Sequence, residues 1–105
     1  MAKRILVKTR TPLGYQVVLT RDRWREIVRF KHPAVATHQQ AVRDCLENPD
    51  VIRASAKDRD VHVYYLQVGR DYLCVIVAPQ SSNHYFVVTV YLTKRIKPGD
   101  ELWTK

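Results

Sequence analysis

The sequence predicts an α+β domain: two N-terminal helices packed on one face of a four-stranded antiparallel β-meander, preceded by a short β-hairpin. Three observations predict it. Between residues 20 and 48 apolar side chains recur at helical spacing. From Val51 the period falls to two, and the runs that follow are joined by connections short enough to imply antiparallel neighbours. At 105 residues and 46% apolar content the chain suits one domain. Residues 1–19 form the hairpin extension, 20–48 the two helices and 51–105 the sheet.

Each element has a local reason. Arg4–Lys8 and Tyr15–Leu19 read as extended runs around the turn residues Thr11-Pro12-Leu13-Gly14, which suggests the hairpin. Thr20 can cap a helix over about Arg21–Lys31, with Trp24, Ile27, Val28 and Lys31 on one face. Arg21, Arg25 and Arg29 form a basic stripe on another side, either a solvated surface or a phosphate-facing one. His32-Pro33 breaks the pattern, because a residue before proline is driven out of helical geometry. A second helix over Ala34–Glu47 then buries Val35, Val42, Cys45 and Leu46, and Asn48-Pro49-Asp50 stops it. VIRAS is a short strand, AKDRD a polar turn, and VHVYYLQV, YLCVIVAP and HYFVVTVYLTK are longer strands. The tail ends in Trp103, placed to pack back onto the sheet.

Composition narrows the chemistry. The two cysteines and four histidines are scattered without metal-type spacing, so neither a metal site nor a cofactor is expected, and free buried thiols are favoured. No apolar run approaches the ~20 residues of a membrane span, and the apolar part of MAKRILVKTR is too short for a signal segment, which points to a cytoplasmic domain or a module released from something larger. Eighteen Lys and Arg against ten Asp and Glu give a formal charge of +8. Such an excess favours a polyanionic partner, since neutralised phosphates release their counterions. Nucleic acid leads the candidates, ahead of an anionic membrane surface, for which no basic amphipathic helix of the required kind is present.

Strand alternation then suggests a site. If Phe86, Val88, Val90 and Leu92 face the helices, Tyr85, Thr89, Tyr91 and Thr93 project from the opposite face. His62 and Tyr64 are expected to join that face, with Arg53 and Ser55 on the preceding strand and Lys57 in the turn. Lys94, Arg95 and Lys97 crowd the end of the last strand. Cations that neutralise phosphate, hydroxyls that donate to it and rings that stack on bases are what an RNA surface needs. The same inventory could cut RNA without metal, by attack of the 2′-OH on the adjacent phosphorus. The candidate catalytic set is His32, His62, Thr89, Tyr91 and Thr93, the two histidines being the residue type suited to proton transfer near neutrality. The candidate substrate-binding set is Arg53, Ser55, Lys57, Tyr64, Lys94 and Arg95. Each has a plainer alternative: His32 as a helix end, threonine and tyrosine as ordinary strand residues, tyrosines as packing.

The layout from Trp24 to Trp103 resembles the barnase–EndoU–colicin–RelE (BECR) superfamily of ribonucleases, in its phage and polymorphic-toxin branch. The residues that carry the resemblance are Trp24, Ile27 and Val28 leading to His32-Pro33; Asn48-Pro49-Asp50 into VIRAS; Tyr64-Tyr65; LCVIV; and FVVTVY running into IKPG. The resemblance implies a metal-independent endoribonuclease acting as a toxin or defence effector, with tRNA among its substrates and an acidic antitoxin or immunity protein as partner. It carries over a role for His32 and for the polar residues of the last strand. A non-catalytic RNA-binding module on the same fold, or a protein-interaction module recruiting through the hairpin, are the other readings.

Overall fold

The computed structural model describes residues 4–105; residues 1–3, part of the segment weighed as a leader, lie outside the described region. Strands β1 (Ile5–Arg10) and β2 (Gln16–Thr20) form the hairpin, turning through Gly14 at a φ of 97° that favours glycine. Helix α1 (Arg21–Glu26) follows directly, and the Thr20 hydroxyl accepts from the Arg23 amide at 3.2 Å as its cap. The chain then widens into a π-helical turn over Ile27–Lys31. His32 leaves helical geometry at φ −141°, ψ 73°, as the following proline requires. A 3₁₀ segment (Pro33–His38) leads into α2 (Gln39–Glu47). Neither expected helix is therefore uniform: α1 ends five residues before Lys31, and Pro33–His38 precedes the α-helical part of the second.

Five strands complete the fold: β3 (Val51–Ala54), β4 (His62–Val68), β5 (Asp71–Ser81), β6 (His84–Thr93) and β7 (Glu101–Thr104). They join the hairpin in a single α+β sheet of order β1-β2-β6-β5-β4-β3-β7. This corrects the expected four-stranded antiparallel meander in two ways. The sheet has seven strands and is mixed, because β2 pairs in parallel with β6, Gln16 opposite His84 through Val18 opposite Phe86. The two strands that precede the helices also belong to this sheet instead of standing apart as an extension. The hairpin is thus an integral edge of the sheet, held further by the Thr9 hydroxyl donating to Glu47 on α2. A pairing between segments more than sixty residues apart leaves no local trace in a sequence, which is why it was not anticipated.

The principal core lies between the helical layer and one sheet face. Trp24, Ile27, Val35, Val42, Cys45 and Leu46 meet Val17, Leu19, Ile52, Tyr64, Leu73, Val75 and Val77 there. Each fully buried aliphatic side chain contributes about 1.5–3 kcal/mol. On β6 the inward set differs from expectation. Between Ile76 opposite Thr89 and Val77 opposite Val87 the register slips by one residue, a β-bulge. Beyond it Tyr85 and Val87, not Phe86 and Val88, join Val90 and Leu92 against the principal core.

The opposite face is also covered. A second cluster of Val51, Val63, Tyr65 and Cys74 is buried there, flanked by Tyr72, Ile76, Tyr91 and Ile96. The cover is the connection from β6 to β7, which must reach across β5, β4 and β3. The eight steps from Thr93 to Glu101 can extend about 26–29 Å, against a diagonal of about 23 Å: four strand spacings (~19 Å) across and, because Glu101 lies in the row of Arg53, Val63, Ile76 and Thr89, four residues (~13 Å) along the strands. The strap is therefore taut. The Lys97 amide donates to the Tyr65 hydroxyl at 3.1 Å, and Arg53 Nη1 donates to the Lys97 carbonyl at 2.9 Å. At its far end the Ala54 amide donates to the Asp100 carbonyl at 2.8 Å.

Gly99 lets the strap close on β3, because a Cβ at this position would collide with the Ala54 carbonyl oxygen. Gly99→Ala is expected to lower stability by about 1–3 kcal/mol in urea unfolding, through overpacking against main chain. An unchanged midpoint would show that the strap is loose.

Candidate functional site

Under the edge of the strap lies a concavity of about 250 Å³ whose wall includes Ser55, Lys57, Tyr65, Tyr91 and Lys97. Ser55 and Lys57 arrive from the turn after β3, where the Ser55 hydroxyl accepts from the Lys57 amide at 3.4 Å. Tyr65 and Tyr91 project from β4 and β6 on the face away from the helices, and Lys97 descends from the strap. The wall holds two lysines and no carboxylate, so its field favours an anion.

His32 approaches the Tyr91 ring from the helical layer. β2 covers β6 only as far as Phe86, so among the described residues the C-terminal half of β6 has no partner strand on that side. The 3₁₀ segment packs against β6, and the His32 ring comes to 5.3 Å from the Tyr91 ring, tilted by 34°. Lys97 Nζ stands 5.4 Å from the centroid of the same ring, a cation–π contact. Burial, with the Cys74 thiol beside it, pushes the Tyr91 hydroxyl up from its ordinary value. Tyr91 therefore stays a neutral phenol, able to donate a hydrogen bond and unsuited to serve as a base. Cys74 is likewise pushed up to about 11, mainly by burial, and is an unreactive thiol.

The remaining expected site residues divide. Thr89 lies on the same face as Tyr91, opposite Ile76, with its hydroxyl buried and without a hydrogen-bond partner. Arg53 is on this face too, but its guanidinium is engaged in holding the strap. Thr93, Lys94 and Arg95 line a neighbouring open concavity of about 600 Å³ that shares Lys97. There the Thr93 hydroxyl accepts from the Arg95 amide at 3.4 Å, and Lys94 pairs with Asp71 at 2.9 Å. Lys97 and Tyr65 were not among the expected site residues. In the sequence Lys97 is one cation of a terminal crowd, and Tyr65 stands beside Tyr64 in an ordinary strand run. The Pro98-Gly99 pair is the sequence feature that points to a close main-chain approach there.

His62 and Tyr64 are a correction. They were expected on the hydroxyl face, yet their cross-strand partners Val77 and Val75 belong to the principal core, and both face the helix side. The reason is the strap: it lets Val63 and Tyr65 be buried on the other face, so β4 is apolar on both sides and its alternation misleads. The polar atoms are accommodated by the hairpin. Tyr64 Oη lies 2.7 Å from both Thr11 Oγ1 and Tyr15 Oη, and Tyr15 Oη lies 2.7 Å from His62 Nδ1. Tyr85 stacks on Tyr15 with centroids 3.7 Å apart and on His62 at 5.3 Å. The outcome is a hydroxyl and ring cluster that fastens the hairpin to β4 and β6, remote in role from the strap-side concavity.

Among the described residues no three His, Cys, Asp or Glu side chains gather closely enough to hold a metal ion, and no helix is long and apolar enough to cross a membrane. Comparison with protein-family models, with curated proteins and with solved structures finds no match. The chemistry of the concavity must be argued from its own residues.

Burial lowers the His62 pKa from its ordinary 6.5, against the opposing pull of Asp60. The folded state therefore prefers the neutral ring. Stability from this site is fully present above pH 6.5, falls as the unfolded chain takes up the proton, and is lost once pH drops through the depressed folded value. Thermal unfolding followed from pH 8 to pH 5 should show a falling midpoint, and His62→Gln should flatten the acid side of that profile.

Proposed function

We propose that the chain is a metal-independent endoribonuclease of BECR type, cutting RNA at the concavity beside the strap. The observation that carries this reading is the single small site in which two lysines, a serine hydroxyl and the Tyr91 phenol share one wall, with an imidazole against the Tyr91 ring and no carboxylate in the wall. The basic charge of the chain suits an RNA substrate, and His32 and Tyr91 are both among the residues that the sequence resemblance singles out.

The roles follow from the chemistry. Lys57 and Lys97 hold the scissile phosphate, and the Ser55 and Tyr91 hydroxyls donate to its non-bridging oxygens. His32 takes the proton from the 2′-OH as that oxygen bonds to phosphorus. The bond from phosphorus to the 5′-oxygen breaks, and an ammonium of the wall protonates the leaving oxygen. The products are a 2′,3′-cyclic phosphate and a 5′-hydroxyl end, so water enters no bond in the first step. Such an activity fits a cytoplasmic toxin or defence effector acting on tRNA or another RNA, and would call for an acidic inhibitor to restrain it.

One observation favours a second reading. His62 is withdrawn to the hairpin cluster, leaving one histidine where two were expected. A non-catalytic RNA clamp using the same lysines needs neither.

The two readings separate in one tube. Total RNA incubated with purified protein and EDTA should give discrete fragments ending in cyclic phosphate. His32→Ala should slow cleavage about 10²-fold or more, as expected for loss of a general base, with circular dichroism unchanged. Tyr91→Phe should slow it about 10-fold through one lost hydrogen bond. RNA that stays whole but is retarded in a gel would establish the clamp. Lys57→Glu should weaken RNA affinity and reduce the salt slope by about one under either reading.

A further inference from the structure

Phe30 stands out on the surface. It is 77% exposed, the most exposed of the large apolar side chains among the described residues. It lies in the π-helical turn over Ile27–Lys31, three residues after the completely buried Ile27. A π-turn takes up more residues than an α-turn, so the two need not share a face.

What surrounds Phe30 is basic. The Arg29 guanidinium lies 5.8 Å from the Phe30 ring centroid. Arg25, Arg29, Trp24 and Val28 line a shallow concavity of about 510 Å³ along the same helical segment. Arg25 and Arg29 are both exposed, four residues apart, and neither is salt-bridged among the described residues. Two like charges at this spacing repel each other unless an anion lies between them.

The chain also keeps Phe30 close to the histidine that meets the Tyr91 ring. Phe30 is two residues from His32, so their Cα atoms are at most about 7 Å apart. A stacked strand advances ~3.4 Å per nucleotide, which puts Phe30 about one or two nucleotides from a phosphate held near His32.

We infer that Phe30, Arg25 and Arg29 form a subsite for single-stranded RNA, in which one unpaired base stacks on the Phe30 ring and the two arginines hold the neighbouring phosphates. A single strand is specified because the face of a phenyl ring can stack only on a base whose own face is free, and bases inside a duplex have none to offer. The inference rests on RNA being the ligand of the neighbouring concavity, and it does not require that concavity to cut.

The test uses the full chain and a short fluorescein-labelled RNA with 2′-O-methyl sugars, which cannot be cleaved by 2′-OH attack, as a single strand and as a duplex. Anisotropy at low salt should show Phe30→Ala weakening single-strand binding about 10-fold, with Phe30→Trp close to wild type and duplex binding nearly unaffected. Arg25→Gln with Arg29→Gln should lower the salt slope by about two. Should the protein bind this strand through Phe30 yet leave ordinary RNA uncut, the nuclease reading falls and the subsite stands. Equal single-strand affinity in Phe30→Ala and wild type overturns the subsite, as does an equal loss on duplex. It is overturned too if no RNA binds while Phe30→Ala abolishes self-association in sedimentation, which would make the patch a protein interface.

Discussion

Everything on the strap side of this molecule depends on how one peptide is held. The amide of Lys97 donates to the Tyr65 hydroxyl, and its carbonyl accepts from Arg53. These two contacts pin a seven-residue crossing that has little slack, and so the strap lies flat on the sheet. Once it does, Val51, Val63, Tyr65 and Cys74 are removed from water on a face that would otherwise be wet. Lys97 is delivered over Tyr91 at the same time. Cover of the second face and assembly of the basic concavity are one event.

The two faces of the sheet therefore do different work. The helix side carries most of the apolar burial, with the hairpin fastened by Tyr15, Tyr64, Tyr85 and His62. The strap side carries a smaller core and the anion-favouring wall. The bulge on β6 separates them. On its C-terminal side Thr89 and Tyr91 face the strap, and on its N-terminal side Tyr85 turns toward the hairpin cluster. One extra residue lets a single strand present hydroxyl-bearing side chains of the same parity to opposite layers.

Much of this was legible in the sequence, and the failures have physical causes. Local signals were sound: Thr20 as a cap, His32-Pro33 as a break, Asn48-Pro49 as a stop, and period two from Val51. Parity placed Thr89 and Tyr91 away from the helices, because no bulge intervenes between them and Val90. The same argument failed for Phe86 and Val88, where the bulge does intervene. It failed for His62 and Tyr64 because a face that looks polar by alternation can be buried when another segment supplies partners for its hydroxyls. Sheet order was beyond reach, since neither the β2–β6 pairing nor the docking of β7 is written in neighbouring residues. The π-helical turn was unreadable for a related reason: its sequence, IVRFK, suits an α-helix equally well.

The parallel pairing of β2 with β6 bears on how the chain reaches this state. Gln16 finds its partner at His84, so a loop of more than sixty residues must close before that contact forms. Closing such a loop is entropically costly, whereas β3 to β6 assemble through near neighbours. The hairpin can form early on its own but can dock only after β6 exists. On a ribosome, the hairpin would emerge before the other elements of this sheet and yet be among the last of them to find its place.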